Sequence, residues 1–384
     1  MRKINLRSPF YFKVEKTGMT SVELNLYVYT GTFTDNASVS PSTLRYTITK
    51  EPLSTNDYVV FEIAELIRDY LEVEFDGGYD SQCVWVNAIP TVTAGTGDTT
   101  ITPDNTDGFL GVEGYGYFED GINPALSGTL LQSNKVVHRV NDGVTRIAVW
   151  SENVEQVTYL LNGQTLQSYP ISSSTSTTGQ ITYIDISYNV ADSFEERVLN
   201  NSGTFEDSDC LQSFLNSLDI LEADEIYVES ADDVEVLKIK TLGCSKFTPY
   251  KITFVNKFGA LQDVWFSLKS TEQLTTKGET YKANTIDFDT LSYNTYNPQK
   301  AQFQKVGNES ITLNTDYIDE SYNDVIKELL MSEQVWITKI EDEELVLGVI
   351  PKTSSVQYKT VLNDNLINYT IQFDYAYDKI NNVR

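Results

Sequence analysis

From residue 22 to 29 the chain reads VELNLYVY, with apolar Val22, Leu24, Leu26 and Val28 separated by Glu23, Asn25, Tyr27 and Tyr29. A period of two with β-branched and aromatic content predicts a half-buried strand. Comparable runs recur at 43–49, 83–89, 144–150, 156–161 and 181–187, then at 225–229, 234–240, 250–255, 262–268, 334–340, 345–350 and 367–375. NKVVHRV also alternates, which puts His138 on a strand among apolar neighbours. Between the runs of 248–266 stands Asn256-Lys257-Phe258-Gly259, a polar, turn-like knot that predicts a hairpin.

Helical stripes are few. In VVFEIAELIRDYL, Val60, Ile63, Ala64, Ile67 and Leu71 share one face, which predicts a helix over 60–71 started by Asn56 or Asp57. DCLQSFLNSLDI (209–220) and ESYNDVIKELLM (320–331) predict two more, the latter with Ser321 as cap and Asp324 completing a capping box. An apolar stripe needs only a sheet to cover it, so all three are expected to pack on cores.

The fold class that follows is mainly β: several sandwich-like domains, a few short packing helices and long projecting loops. A chain of 384 residues exceeds one ordinary core. The stretch 91–108, TVTAGTGDTTITPDNTDG, and the unbroken Ser and Thr of 172–178 lack apolar periodicity and mark surface loops. The expected organisation is an N-terminal β domain at 1–90 with one helix, then a Thr/Gly/Asp-rich and aromatic loop excursion at 91–129. A second sandwich-like domain at 130–205 and a C-terminal α+β domain at 206–384, with the hairpin 250–268, complete it.

Charge narrows the function. With 28 Lys and Arg against 55 Asp and Glu, the net charge is −27 and the pI about 4.3. Nucleic-acid affinity comes from cations that displace counterions, so no specific nucleic-acid binding is expected. Hydrophobic residues at 40%, with 24 Tyr and 17 Phe, suffice for globular burial. Cys83, Cys210 and Cys244 form no CxxC pair and read as buried, reduced thiols of a protein assembled in a reducing compartment. The start MRKINLRSPFYFKVEKTG has no apolar h-region, and no apolar run approaches the roughly 18 residues that span a bilayer. Neither a secretion signal nor membrane insertion is expected.

No constellation carries chemistry. His138 is the single histidine, with no nucleophile motif beside it, and one His with scattered Cys offers no zinc pair. GVEGYGYFEDG (111–121) lacks GxGxxG spacing and a following basic residue, so its glycines read as turns in an exposed aromatic loop. DNTDG (104–108) lacks EF-hand spacing, and EDEE (341–344) reads as a solvated hairpin turn. The expectation is no enzyme: no catalytic, cofactor-binding or metal residue, and no cofactor.

The order of several phrases adds to this. Phe10 to Val14, YTGT at 29–32, FEIAELIRDYL at 61–71, the hairpin YKITFVNKFGALQDVWF at 250–266 and ITLNTDYIDESYNDVIKELLMSEQVWI at 311–337 together resemble virion structural proteins of tailed phages that infect Bacteroidetes, notably crAss-like phages. The resemblance covers about half the chain, at both ends, and none of 91–240. It implies a subunit of the short tail below the portal, assembled in the bacterial cytoplasm as a homo-oligomeric ring or hub of twelvefold or sixfold symmetry. Such a subunit touches neighbouring tail and portal-proximal virion proteins and forms part of the DNA ejection conduit. The alternative is a carbohydrate- or cell-surface-binding β-sandwich module whose Tyr115, Tyr117 and Trp150 stack on sugars.

Overall fold

The computed structural model describes residues 2–34, 40–53, 57–80, 82–94, 97–100, 108–126, 128–140, 143–170, 180–187, 223–231, 233–242, 246–339, 342–353 and 366–380. The helix expected at 209–220, the run 172–178, Cys210, Cys244, residues 104–107 and Glu341 lie outside these. The fold is mainly β, with 54% of the described residues in strands against 7% helical, in several sheets.

The first sheet has the order Arg2–Asn5, Gly108–Val112, Cys83–Ala94, Met19–Tyr29, Leu44–Lys50, with Gly97–Thr100 also paired to Cys83–Ala94. Its first pair is parallel and the others antiparallel. The alternation of 22–29 is realised in full: Val22, Leu24, Leu26 and Val28 are buried in the N-terminal core, while Glu23, Asn25, Tyr27 and Tyr29 are not. A two-stranded ribbon, Tyr11–Glu15 with Tyr58–Glu62, contributes Phe12, Val14, Val59 and Phe61 to the same core.

Two expectations are corrected here. The helix of 60–71 shrinks to Ala64–Arg68, because Val60 to Glu62 extend as a strand against Tyr11 to Lys13. β-branched and aromatic residues pair well in a ribbon, and the gain from that distant partner exceeds the local helical preference. Ile63 and Ile67 stay fully buried. Within the expected 91–129 excursion, Gly108–Val112 is a wholly buried strand of the sheet. Its glycines make room rather than turns: a Cβ on Gly108 would lie 2.2 Å from the Phe33 ring.

A five-stranded sheet follows, ordered Gln164–Pro170, Gln156–Leu161, Glu225–Glu229, Val234–Leu242, Val136–Val140, the last pair parallel. It shares a core with the pair Arg146–Trp150 and Ile181–Asp185 through Ile147, Val149, Ile184, Ile226, Val228 and Leu237. This sheet takes strands from both sides of residue 205, where the sequence suggested a boundary, since Val234–Leu242 lies directly beside Val136–Val140.

The C-terminal sheet has seven strands: Leu261–Phe266, Tyr250–Val255, Val335–Lys339, Asp342–Pro351, Thr370–Tyr375, Lys300–Asn314 and Thr271–Lys282. The helix Tyr322–Met331 joins its core, with Val325, Ile326 and Leu329 fully buried in the cluster that holds Phe254, Phe266 and Phe373. Each such side chain contributes roughly 2 kcal/mol by leaving water. The expected capping box does not form. Ser321 already has helical backbone angles and its side chain caps nothing, while Asp319 Oδ1 accepts from the Ser321 amide at 3.0 Å.

Candidate assembly interface

The hairpin Tyr250–Val255 with Leu261–Phe266 is buried on both faces. Ile252, Phe254, Val264 and Phe266 point into the C-terminal core, so by alternation Lys251, Thr253, Asp263 and Trp265 face the other way. That second face meets the N-terminal and middle parts of the chain. The Tyr79 phenol donates to Asp263 Oδ2 at 2.6 Å and accepts from Lys251 Nζ at 3.2 Å, while Thr253 Oγ1 donates to Asp263 Oδ1 at 2.7 Å. The Arg146 amide reaches Asp263 Oδ2 at 3.3 Å, and Lys251 Nζ also donates to the Val144 carbonyl at 3.3 Å. Burial, then the Asp263 charge, push the Tyr79 phenol well above its ordinary pKa. Lys, Tyr and Asp are residue types used in proton transfer, but these three are buried and bonded to one another, so they act as a clamp between segments.

The turn Asn256 to Gly259 completes the junction. The Asn256 side chain donates to the Leu131 carbonyl at 2.7 Å and accepts from the Phe258 and Ala260 amides. The Lys257 carbonyl accepts from the Tyr115 amide at 2.9 Å, and its amine pairs with Asp120 at 2.6 Å. Arg68, at the end of the first helix, donates to Glu113 Oε2 at 3.1 Å and to Glu333 Oε2 at 2.5 Å. The hairpin is therefore the piece against which the other sheets are assembled.

The aromatic residues singled out in the sequence do not form a sugar platform. Trp150 is fully buried with the Lys3 amine 4.3 Å from its ring centroid, and Tyr115 is buried. Tyr117 is covered by the amines of Lys257 at 4.4 Å and Lys327 at 3.6 Å. His138 is buried and stacks on Tyr322, ring centroids 4.8 Å apart and planes within 9°. Burial first, then Lys240, lower its pKa to about 4, so the ring is neutral at pH 7. Cys83 is a buried thiol. Among the described residues no group of three His, Cys, Asp or Glu could hold a metal ion, and no helix is long and apolar enough to cross a membrane.

One element leaves the body. Thr271–Lys282 and Lys300–Asn314 pair along their length, from Thr271 opposite Thr312 to Lys282 opposite Lys300. Only Ser310 to Asn314 also pair with Thr370–Tyr375. Beyond Gln273 the two strands leave the sheet. The Lys379 amide still donates to the Gly307 carbonyl at 2.8 Å and its amine pairs with Glu309 at 2.9 Å. From Lys277 and Val306 outward the ribbon runs on for about 20 Å at roughly 3.3 Å per residue. All residues of Thr271–Lys282 are exposed. Gln304 and Lys305 together oppose Gly278, and Gln304 has φ 49°, the left-handed first position of a bulge that bends the arm.

The tip is ordered and apolar. Asp287 Oδ1 accepts from the Asp289 amide at 3.0 Å and Asp287 Oδ2 from Thr290 Oγ1 at 2.9 Å, which also lowers the Asp287 pKa. A short pair, Ile286–Asp287 with Ser292–Tyr293, frames this turn. Outward from it stand Ile286, Phe288, Leu291, Tyr293 and Tyr296 at 52%, 71%, 82%, 68% and 79% exposure. Sequence reasoning missed this arm altogether. Its one available signal was the density of aromatics in IDFDTLSYNTY between strand-forming Thr runs. No protein-family model matches the chain, and no curated protein matches it in sequence.

Proposed function

We propose that this chain is a non-enzymatic structural subunit of a tailed-phage virion, assembling as a homo-oligomeric ring or hub of the short tail below the portal. The observation that carries the reading is the arm. A self-contained binding or catalytic domain gains nothing from an ordered ribbon that holds five large apolar side chains in water, whereas an assembly subunit buries them on its neighbour. The dense polar clamp around Asp263 supports the same role, since a body that transmits load between neighbours needs its segments locked together. The order of N- and C-terminal phrases resembling crAss-like phage virion proteins supplies the setting: assembly in the bacterial cytoplasm, contact with other tail and portal-proximal proteins, and a share in the DNA ejection conduit.

Electron microscopy of the purified chain tests the reading, with mass measurement of the particles. Closed rings of six or twelve copies are expected, and antibodies should label the tail of purified virions. A chain that forms no closed particle and is missing from virions would overturn it. A second reading, a carbohydrate- or cell-surface-binding module, moves from Tyr115, Tyr117 and Trp150 to the exposed Phe288, Tyr293 and Tyr296, and requires a glycan that changes their fluorescence.

A further inference from the structure

We infer that the arm, residues 274–306, docks on the acidic body of a second copy of this chain. The inference rests on the homo-oligomeric reading above for its occupant, and on three properties of the arm for its mode.

The first property is charge. Residues 274–306 hold Lys277, Lys282, Lys300 and Lys305 against Glu279, Asp287 and Asp289, a net +1 in a chain of net −27. The rest of the chain therefore carries −28 (−27 less +1). Four of the chain's cations are thus placed on its most extended element, and none of them makes an ion pair with a described carboxylate. Lys282 and Lys300 stand directly opposite each other in the ribbon. Like charges at opposed positions destabilise a strand pair unless another group neutralises them. A carboxylate-rich surface removes that repulsion, and the body of another copy is such a surface.

The second property is area. Phe288, Tyr293 and Tyr296 are 71%, 68% and 79% exposed, so docking would bury on the order of 330–550 Å² on them, about half of the ~800 Å² per partner of a stable interface, with Ile286, Leu291 and the shaft left to supply the rest. The third is the ribbon itself. Two strands alone are marginal in water, and here the shaft adds only one aromatic contact, Tyr281 with Phe303 at 5.7 Å. Strand alternation puts that aromatic pair on the face opposite Lys282 and Lys300. The shaft thus offers one face with Tyr281 and Phe303, bordered by Glu279 and Lys277, a second face with Lys282 and Lys300, and at the tip a cluster of exposed apolar side chains. Docking on a body covers the apolar parts while the lysines meet carboxylates.

The test titrates fluorescently labelled full-length chain with unlabelled chain. Self-association is expected, faster at low salt because the charges steer the encounter. Combining Phe288→Ser, Tyr293→Ser and Tyr296→Ser should weaken it at least 100-fold, as loss of two or more interface anchors does. Lys282→Glu with Lys300→Glu should weaken it about 10-fold at low salt and little at high salt. All these side chains are exposed, so unchanged thermal unfolding checks that the variants fold. A chain whose residues 280–302 are replaced by Asn-Gly keeps the acceptor body; it should bind labelled wild-type chain yet not itself.

Wild-type chain that stays monomeric at high micromolar concentration overturns the inference, as does association indifferent to the tip. Failure of the armless chain to bind wild type would show arm-to-arm pairing and overturn the body as acceptor. Tip-dependent binding of a purified capsular polysaccharide without self-association would also overturn it, in favour of a glycan site. Closed rings that persist in the tip variant would remove the arm and keep the ring; arm-dependent pairs that never close would do the opposite.

Discussion

Gly259 and Gly114 approach so closely that a Cβ on Gly259 would sit 2.8 Å from the Gly114 amide nitrogen. Gly259 also has φ +77°, a left-handed conformation that costs other residues about 1–2 kcal/mol. The tip of the C-terminal hairpin meets the end of the N-terminal sheet at this point. Both causes act together in Gly259→Ala, which is expected to destabilise the protein by about 3 kcal/mol. The midpoint of urea unfolding reads this directly. An unchanged midpoint would mean that the two segments separate without cost.

Tyr79 holds Asp263 and Lys251 at once, so removing its hydroxyl leaves two charged groups short of a partner. Tyr79→Phe keeps the ring against Phe75 and Tyr183, whose centroids lie 5.2 and 5.3 Å away. The expected loss is about 1–3 kcal/mol, the desolvation penalty of buried groups left unpaired. Because the clamp joins segments far apart in sequence, the unfolding transition should also broaden. Denaturation followed by far-UV dichroism and by tryptophan fluorescence should then give two midpoints in the variant and one in the parent.

His138 gives the protein an acid-sensitive joint. Its folded pKa of about 4 lies below its ordinary 6.5, so between these values the unfolded chain binds the proton that the folded chain excludes. Stability from this residue is therefore complete above pH 6.5 and is lost as pH falls toward 4. At 1.36 kcal/mol per pKa unit the full effect is about 3 kcal/mol. Asp316 and Asp319 oppose the shift and Lys240 reinforces it. His138→Phe keeps an aromatic ring over Tyr322 and should flatten the fall in stability between pH 7 and 4. An identical pH profile in both proteins would mean that the histidine is hydrated when folded.

Periodicity reports burial, and the sequence was legible where burial follows it. Val22 to Val28 and the stripe of Val325, Ile326 and Leu329 each put apolar side chains on one core, and the hairpin at 250–266 forms as its turn and flanking runs predict, although its two faces serve two cores. Three places hid their structure for distinct reasons. At 60–62 one set of residues satisfies a helical stripe and a strand pairing, and only the distant Tyr11 to Lys13 decides between them. At 108–112 the glycines that admit Phe33 (Gly108) and Leu6 (Gly111) look like turn residues. Thr271–Lys282 buries neither face, so it has no alternation to detect, although its ladder is long. The candidate interface was invisible for that last reason: IDFDTLSYNTY shows its aromatics plainly, but not that both strands leading to them stand clear of the body.

The same arm sets the test for nucleic acid. A subunit of an ejection conduit must let DNA pass, and each phosphate gripped by Lys or Arg adds a salt-dependent hold that would slow it. Lys277, Lys282, Lys300 and Lys305 are exposed or part of an exposed strand and make the arm the place where such a hold would arise. Asp287 and Asp289 at the tip, and −28 on the remaining residues, oppose it. Purified protein is therefore expected to leave duplex DNA unshifted in a gel at low salt, where screening is weakest. The assembled ring should behave likewise, since docking would turn these lysines toward carboxylates. Retention that weakens with salt at a slope of about four phosphates, and that Lys282→Glu with Lys300→Glu abolishes, would make the arm a DNA contact and contradict its assignment to a protein neighbour.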